Sequence, residues 1–206
     1  MRRERPLMGF LSGFGAHKAN SSRDWYEANC PEARFAHLSA ERPQHVDQQL
    51  GILACKEALV AAGTGNYGVG AVLADPQGNI VEQGRNSVFF PRFRSDLHAE
   101  MVVMNAFEER YPAMDNMRGY TLVCSLEPCP MCIARLLVAG VQTVKFLAYD
   151  ELAGMVGHRQ YFPTAWKRLW QRQEFTQADV SDGLRQFALD VFLLNLEACR
   201  QRILSR

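Results

Sequence analysis

Two cysteines, a histidine and a glutamate stand in this sequence at spacings that suit metal chemistry. Cys129 and Cys132, in the run Ser125-Leu126-Glu127-Pro128-Cys129-Pro130-Met131-Cys132, are three positions apart. On one helical turn both thiols therefore point the same way. Pro130 suits a first helical position, Ile133 to Ala139 continue as an apolar helix, and Gly140 stops it. Both sulfurs then lie at a helix N-terminus, where the dipole favours thiolate over thiol. His98, in His98-Ala99-Glu100, adds an imidazole from upstream. Two thiolates and one imidazole make a three-donor zinc site with one position left open, one zinc per chain. That is the pattern of catalytic zinc, since no fourth Cys or His stands close in sequence to close the site. Glu100 is placed to take a proton from a water activated there and to pass it on.

The combination H-x-E followed by P-C-x-x-C is a signature of zinc deaminases. With it the chain resembles the cytidine deaminase-like superfamily. The string Leu126-Glu127-Pro128-Cys129-Pro130-Met131-Cys132 is most similar to the branch of guanine deaminases and tRNA adenosine deaminases. The similarity runs from about Gln44 to about Leu194, which sets residues 1–44 apart as an N-terminal arm and makes 45–206 the deaminase domain. The resemblance implies an α/β protein with a three-layer α/β/α fold, a five-stranded mixed sheet and its last two strands parallel. It implies hydrolytic release of ammonia from an aminated heterocycle, with zinc on His98, Cys129 and Cys132 and Glu100 as proton carrier. It also implies that Asn86 hydrogen-bonds the substrate ring and that Val69, Gly70 and Ala71 line the pocket. Backbone N–H groups near Ala99 and Cys129 would stabilise the tetrahedral species. A homodimer is the family habit.

Two departures stand out. Gly68 occupies a place where relatives usually carry proline. Ile133-Ala134-Arg135 replaces the small residues that commonly follow the second cysteine, so Arg135 needs a partner on a helix often used in dimer contact.

The even balance of 23 basic and 22 acidic residues, net +1, gives no bulk attraction to nucleic acid or to membranes. A small purine-like base or nucleoside is therefore the first substrate reading. Adenosine editing in tRNA is the second, supported by the aromatic and basic run Phe89-Phe90-Pro91-Arg92-Phe93-Arg94 and by Trp166-Lys167-Arg168-Leu169-Trp170, where Trp166 could wall the site. A zinc-stabilised interaction protein without turnover is a third, opposed by the intact Glu100. No apolar run is long enough for a membrane span. Six cysteines, two of them assigned to metal, suit a reducing cytoplasm. The apolar stretch from Leu7 to Ala16 after Arg2-Arg3 superficially suggests an export signal, but its three glycines argue against one. An ordered arm around Trp25, Tyr26 and Phe35 is the expectation.

Periodicity supplies the elements that must position these groups. A helix is predicted from Val46 to Ala62, with Val46 in its apolar stripe, followed by a strand at Val69–Ala74 and a hairpin partner at Asn79–Gly84. Ser95 or Asp96 is predicted to cap a helix from about Leu97 to Arg110, putting His98 in its first turn. Strands follow at Tyr120–Ser125 and Thr143–Ala148, and a fifth at Gln171–Thr176. The long connection before the fifth favours parallel pairing. A long amphipathic helix from Val180 to about Leu204 then covers the core.

Overall fold

The computed structural model describes residues 30–206. In chain order the elements are α1 (Pro31–Ala40), α2 (Gln48–Gly63), β1 (Gly70–Ala74), β2 (Ile80–Arg85), α3 (Ala99–Arg110), β3 (Thr121–Leu126), α4 (Pro130–Ala139) and β4 (Thr143–Ala148). A short 3₁₀ helix (Val156–Tyr161), α5 (Thr164–Trp170), β5 (Glu174–Gln177) and α6 (Asp182–Leu204) complete the chain. The strands form one five-stranded sheet in the order β2-β1-β3-β4-β5. Strand β1 is antiparallel to β2 and to β3, whereas β4 runs parallel to β3 and to β5. The tight turn at Asp75–Gly78 permits the antiparallel hairpin, and the connection through α5 permits the parallel return. Among the described residues no helix is long and apolar enough to cross a membrane.

Alternation along β1 sets the layers. Gly70 faces α2 so closely that a Cβ would meet the Ala54 carbonyl. Ala71 and its antiparallel partner Gly84 point to the other face, where Val102 and Val103 of α3 crowd Gly84. Helices α2 and α3 therefore cover opposite faces, as a three-layer α/β/α fold requires. Helix α6 lies beside α2, with Leu184, Phe187, Ala188 and Val191 buried, and α4 follows α3 on the second face. Ser181 caps α6 by accepting from Leu184 N at 3.3 Å.

Several boundaries differ from the sequence expectation, each for a local reason. Helix α2 starts at Gln48, and Val46 is 85% exposed. The buried residue there is Asp47, whose carboxylate takes Lys145 Nζ at 2.8 and 2.9 Å and Asp179 N at 2.8 Å. That junction ties the start of α2 to β4 and to the segment before α6. Strand β5 begins at Glu174, because α5 runs on to Trp170 and a turn follows it. Trp170 is buried against Phe175, ring centroids 4.6 Å apart, so the turn is held down by its own aromatic pair. On the α2 face, Phe35 of α1 packs on Phe187 of α6 at 5.7 Å, and Arg34 pairs with Asp190 at 2.8 Å. Trp25, Tyr26 and the apolar stretch Leu7–Ala16 lie outside the described residues.

The structure also accounts for Gly68. Any Cβ there would run into the Val191 backbone carbonyl of α6. The close approach of α6 excludes the proline that relatives carry. Gly68→Ala should lower stability by about 2 kcal/mol, since an added carbon must push a helix backbone away. The expected result is a lower urea midpoint with an unchanged slope; an unchanged midpoint would show that α6 yields without cost.

Candidate active site

The N-termini of α3 and α4 converge beside the end of β3. Cys129 is the N-cap of α4, with extended backbone (φ −74°, ψ 170°), and Pro130 is the first helical residue. Cys132, one turn in, is fully buried, and Gly140 ends the helix in the left-handed region at φ 74°. Helix α3 begins later than its sequence suggested. His98 is itself the N-cap, with φ −66° and ψ 158° and no side-chain capping bond. Asp96 does not cap because its carboxylate is committed to Arg94, at 2.8 and 2.7 Å. The imidazole is thus free of the helix ladder and turns to the cysteines.

His98 Nδ1 lies 3.6 Å from Cys129 Sγ and 3.6 Å from Cys132 Sγ, and the sulfurs are 3.7 Å apart. Tetrahedral zinc, with Zn–S of about 2.3 Å and Zn–N of about 2.0 Å, requires roughly 3.8 Å between sulfurs and roughly 3.6 Å between sulfur and nitrogen. The triangle fits zinc. His98, Cys129 and Cys132 would supply three of the four donors that zinc takes, and His98 and Cys129 line the cleft beside them. The protonation pattern fits as well. Cys129 is pulled down to about 4, first by the Cys132 thiol hydrogen bond and then by His98, against burial. Cys132 is pushed well up by donating to Cys129 and by burial. A cation bound there would displace the thiol protons that the pair otherwise shares.

Glu100 sits in the first turn of α3, only 4% exposed. Burial, then the Cys129 charge, raises its carboxyl above the ordinary range, which suits a group that must both accept and donate a proton.

A cleft of about 350 Å³ opens beside the donor triangle. Its wall includes Val69 and Asn86 among the residues singled out in the sequence. Asn86 is buried; its backbone N donates to Val69 O at 2.9 Å and its Oδ1 accepts from Val88 N at 3.2 Å. Its carboxamide nitrogen has no hydrogen-bond acceptor among the described residues. Gly70 and Ala71 are not on this wall: the first faces α2 and the second is fully buried under α3. The Ala99 methyl is likewise fully buried in the core. Trp166 packs against Phe162 at 6.2 Å and is not part of the cleft.

The aromatic and basic loop before His98 stacks on its own chain. Arg202 of α6 lies over Phe89 at 4.2 Å, and Arg206, just past the helix, over Phe93 at 3.5 Å. The rest of the wall was not anticipated. Helix α6 contributes Phe192, Leu196, Arg200 and Ile203, and the loop after β4 contributes Asp150, Leu152 and Ala153. That loop is held by Glu127, which is 7% exposed and accepts from Val156 N at 2.8 Å and Asp150 N at 3.3 Å. At Gly154 a Cβ would collide with the same carboxylate. The i, i+4, i+8 stripe on α6 was visible in the sequence, but periodicity marks only an apolar face and not what it covers.

Residues 44–148 match the model of the cytidine and deoxycytidylate deaminase zinc-binding region. The chain belongs to this family. A tRNA-specific adenosine deaminase of Bacillus subtilis is 35% identical over 134 residues, 64% of this chain and 76% of that protein. A tRNA(Ile)-lysidine synthase of Deinococcus deserti is 38% identical over 91 residues, but the chain spans only 16% of its length. Among solved structures, a tRNA:A34 deaminase superposes with TM-score 0.54 at 24% identity, over 63% of this chain and 97% of that one. The guanine deaminase of Nitrosomonas europaea does so with TM-score 0.56 at 18% identity, over 77% and 92%. Those two likenesses establish the fold, the cytidine deaminase-like three-layer arrangement. The matched zinc-binding region contains all three donors, and His98, Cys129 and Cys132 are in position to bind zinc.

Metal analysis of the purified protein should find about one zinc per chain, lost in Cys132→Ser. Full zinc in that variant would remove the ligand assignment. Glu127→Gln should keep the metal, because the carboxylate touches the loop and not the donors. Losing one of its two acceptor positions should free the 150–156 loop, seen as faster amide exchange at Asp150 and Val156.

Proposed function

We propose that this protein is a hydrolytic deaminase that releases ammonia from an aminated purine-like heterocycle, taken as a free base or a small nucleoside. The observation that carries this reading is a buried Glu100, outside the donor set, that lines a largely apolar cleft together with two of the three donors. Zinc held by His98, Cys129 and Cys132 would supply Lewis acidity, which lets water act as a nucleophile near neutral pH. Glu100 takes the first proton from the attacking water and delivers it to the ring nitrogen. The C–N bond then breaks, a second proton goes through Glu100 to the leaving amine, and an oxygen remains on the ring. Overall, one water is consumed and one ammonia leaves. Asn86 offers its free amide N–H to an acceptor on the ring edge. The backbone N–H groups of Ala99 and Cys129 belong to helix N-termini, whose dipoles favour developing negative charge. In this reading residues 45–206 form the catalytic domain, 1–44 an arm on it, and the working unit is a homodimer.

A second reading, adenosine deamination in tRNA, is favoured by the names of the Bacillus subtilis and Haemophilus influenzae relatives, both tRNA-specific adenosine deaminases. Weighing against it, Arg202 and Arg206 already stack on Phe89 and Phe93, and the chain carries a net charge of only +1. Turnover of tRNA that collapses as salt rises, with none of small compounds, would place the second reading first. Zinc-dependent interaction without turnover is the third, and an intact Glu100 opposes it.

Glu100→Gln decides between enzyme and scaffold. The amide keeps a hydrogen bond but cannot carry a proton, so zinc content and fold should persist while ammonia release falls by about ten-thousandfold or more. A zinc-loaded variant that keeps most of its activity would overturn the mechanism.

A further inference from the structure

The polar groups lining the cleft are unequally committed. Glu127 is saturated by two backbone N–H groups, from Val156 and Asp150. Asp150 in turn accepts from Leu152 N at 3.0 Å and Ala153 N at 3.1 Å through one carboxylate oxygen. The Glu127 carboxylate is thus occupied by its loop through both oxygens, and that of Asp150 through one. Arg200 lines the same cleft yet is exposed, which puts its guanidinium at the mouth. Among the described residues it has no ion pair, no hydrogen bond and no aromatic stack. Neighbouring arginines are engaged: Arg185 with Asp182 at 2.7 Å, and Arg202 and Arg206 with the two phenylalanines. Apart from the metal donors and Glu100, the polar groups facing the cleft that are unpartnered among the described residues include Asp150 Oδ2 and two N–H donors, the Asn86 amide and Arg200; only the last of these is a cation.

Length points the same way. Phe192, Leu196, Arg200 and Ile203 fall on one stripe of α6. At about 1.5 Å per residue that wall runs roughly 16 Å, longer than a two-ring base. Tyr67, stacked on Phe192 at 6.2 Å, adds a flat aromatic surface to it. A base alone at Glu100 would leave the outer cleft and Arg200 without a ligand.

We propose that Arg200 binds a phosphate of the substrate, so that the base reaching Glu100 arrives on a phosphorylated ribose. This rests on the deaminase chemistry proposed above and replaces its free base or nucleoside by a nucleotide. A guanidinium presents two parallel N–H groups that match two phosphate oxygens, a geometry an ammonium does not reproduce. The phosphate belongs either to a free nucleoside monophosphate or to one nucleotide of a strand.

The test compares zinc-loaded wild type, Arg200→Gln and Arg200→Lys. Each is given adenosine, guanosine, their 5′-monophosphates and a short single-stranded oligoribonucleotide, with ammonia release and calorimetric binding as separate readouts. Wild type should prefer a phosphorylated compound over its nucleoside by about tenfold or more, the size of one charge-assisted contact. Arg200→Gln should bring that ratio close to one, mainly through KM, and Arg200→Lys should restore only part of it. A gain with the monophosphates identifies a free nucleotide, and a gain with the oligoribonucleotide alone identifies a strand; either supports the assignment. Equal use of nucleoside and nucleotide by wild type, or a ratio untouched by Arg200→Gln, overturns it. If ammonia is released from none of these compounds, the deaminase reading fails on its own. Calorimetry still decides about Arg200: weaker binding of the monophosphate by Arg200→Gln supports the phosphate contact, and equal binding overturns it.

Discussion

Two sulfurs and an imidazole nitrogen held 3.6–3.7 Å apart in a mostly buried corner are a costly assembly by themselves. Thiolates at that separation repel, and burial removes the water that would screen them. Only a cation between them, or a shared proton, makes the arrangement tolerable. The helices that carry the donors must therefore be held in place by something other than the donors. Arg135 meets that need. From α4 its guanidinium reaches Asn105 Oδ1 at 2.6 Å and Glu108 Oε2 at 2.7 Å, both on α3. The residue that departs from the family habit is thus a strut between the two donor-bearing helices, and its partners lie within its own chain.

The cleft is coupled to this corner through the residues just ahead of the first cysteine. Glu127 and Pro128 precede Cys129, and the loop after β4 hangs on both: on the Glu127 carboxylate, and on Pro128 O through Met155 N at 3.1 Å. One wall of the cleft is therefore fastened to the strand that delivers the metal ligand. Helix α6 is fastened separately, by Asp179 N on the Asp47 carboxylate just ahead of it and by its close approach at Gly68. Shape and chemistry are set by separate contacts, so a substitution can alter one without the other.

What could be seen in the sequence follows the range of the interactions. The donors were legible because Cys129 and Cys132 owe their common direction to one helical turn, and Glu100 its place to the neighbouring His98. Parallel pairing of β5 was legible because chain length alone forbids a tight return. The start of α3 was misjudged because a bidentate pair with Arg94 removes Asp96 as a cap, and propensity does not weigh such competition. Val46 looked like core by spacing, yet the buried position belongs to Asp47, whose partners Lys145 and Asp179 lie far along the chain. Gly70, Ala71 and Ala99 are near the site in sequence, but alternation across the strand and burial of the helix start turn them away from the cleft. Trp166 found an aromatic partner of its own in Phe162. The α6 wall is the largest omission, because nothing local tells an apolar stripe that covers a sheet from one that encloses a ligand.

The order of parts along the chain has a consequence for how the site comes into being during synthesis. Every metal donor lies between residues 98 and 132, whereas the α6 wall begins about sixty residues later, at Phe192. A nascent chain that has emerged only as far as β5 already carries the complete donor set and has no closed cleft.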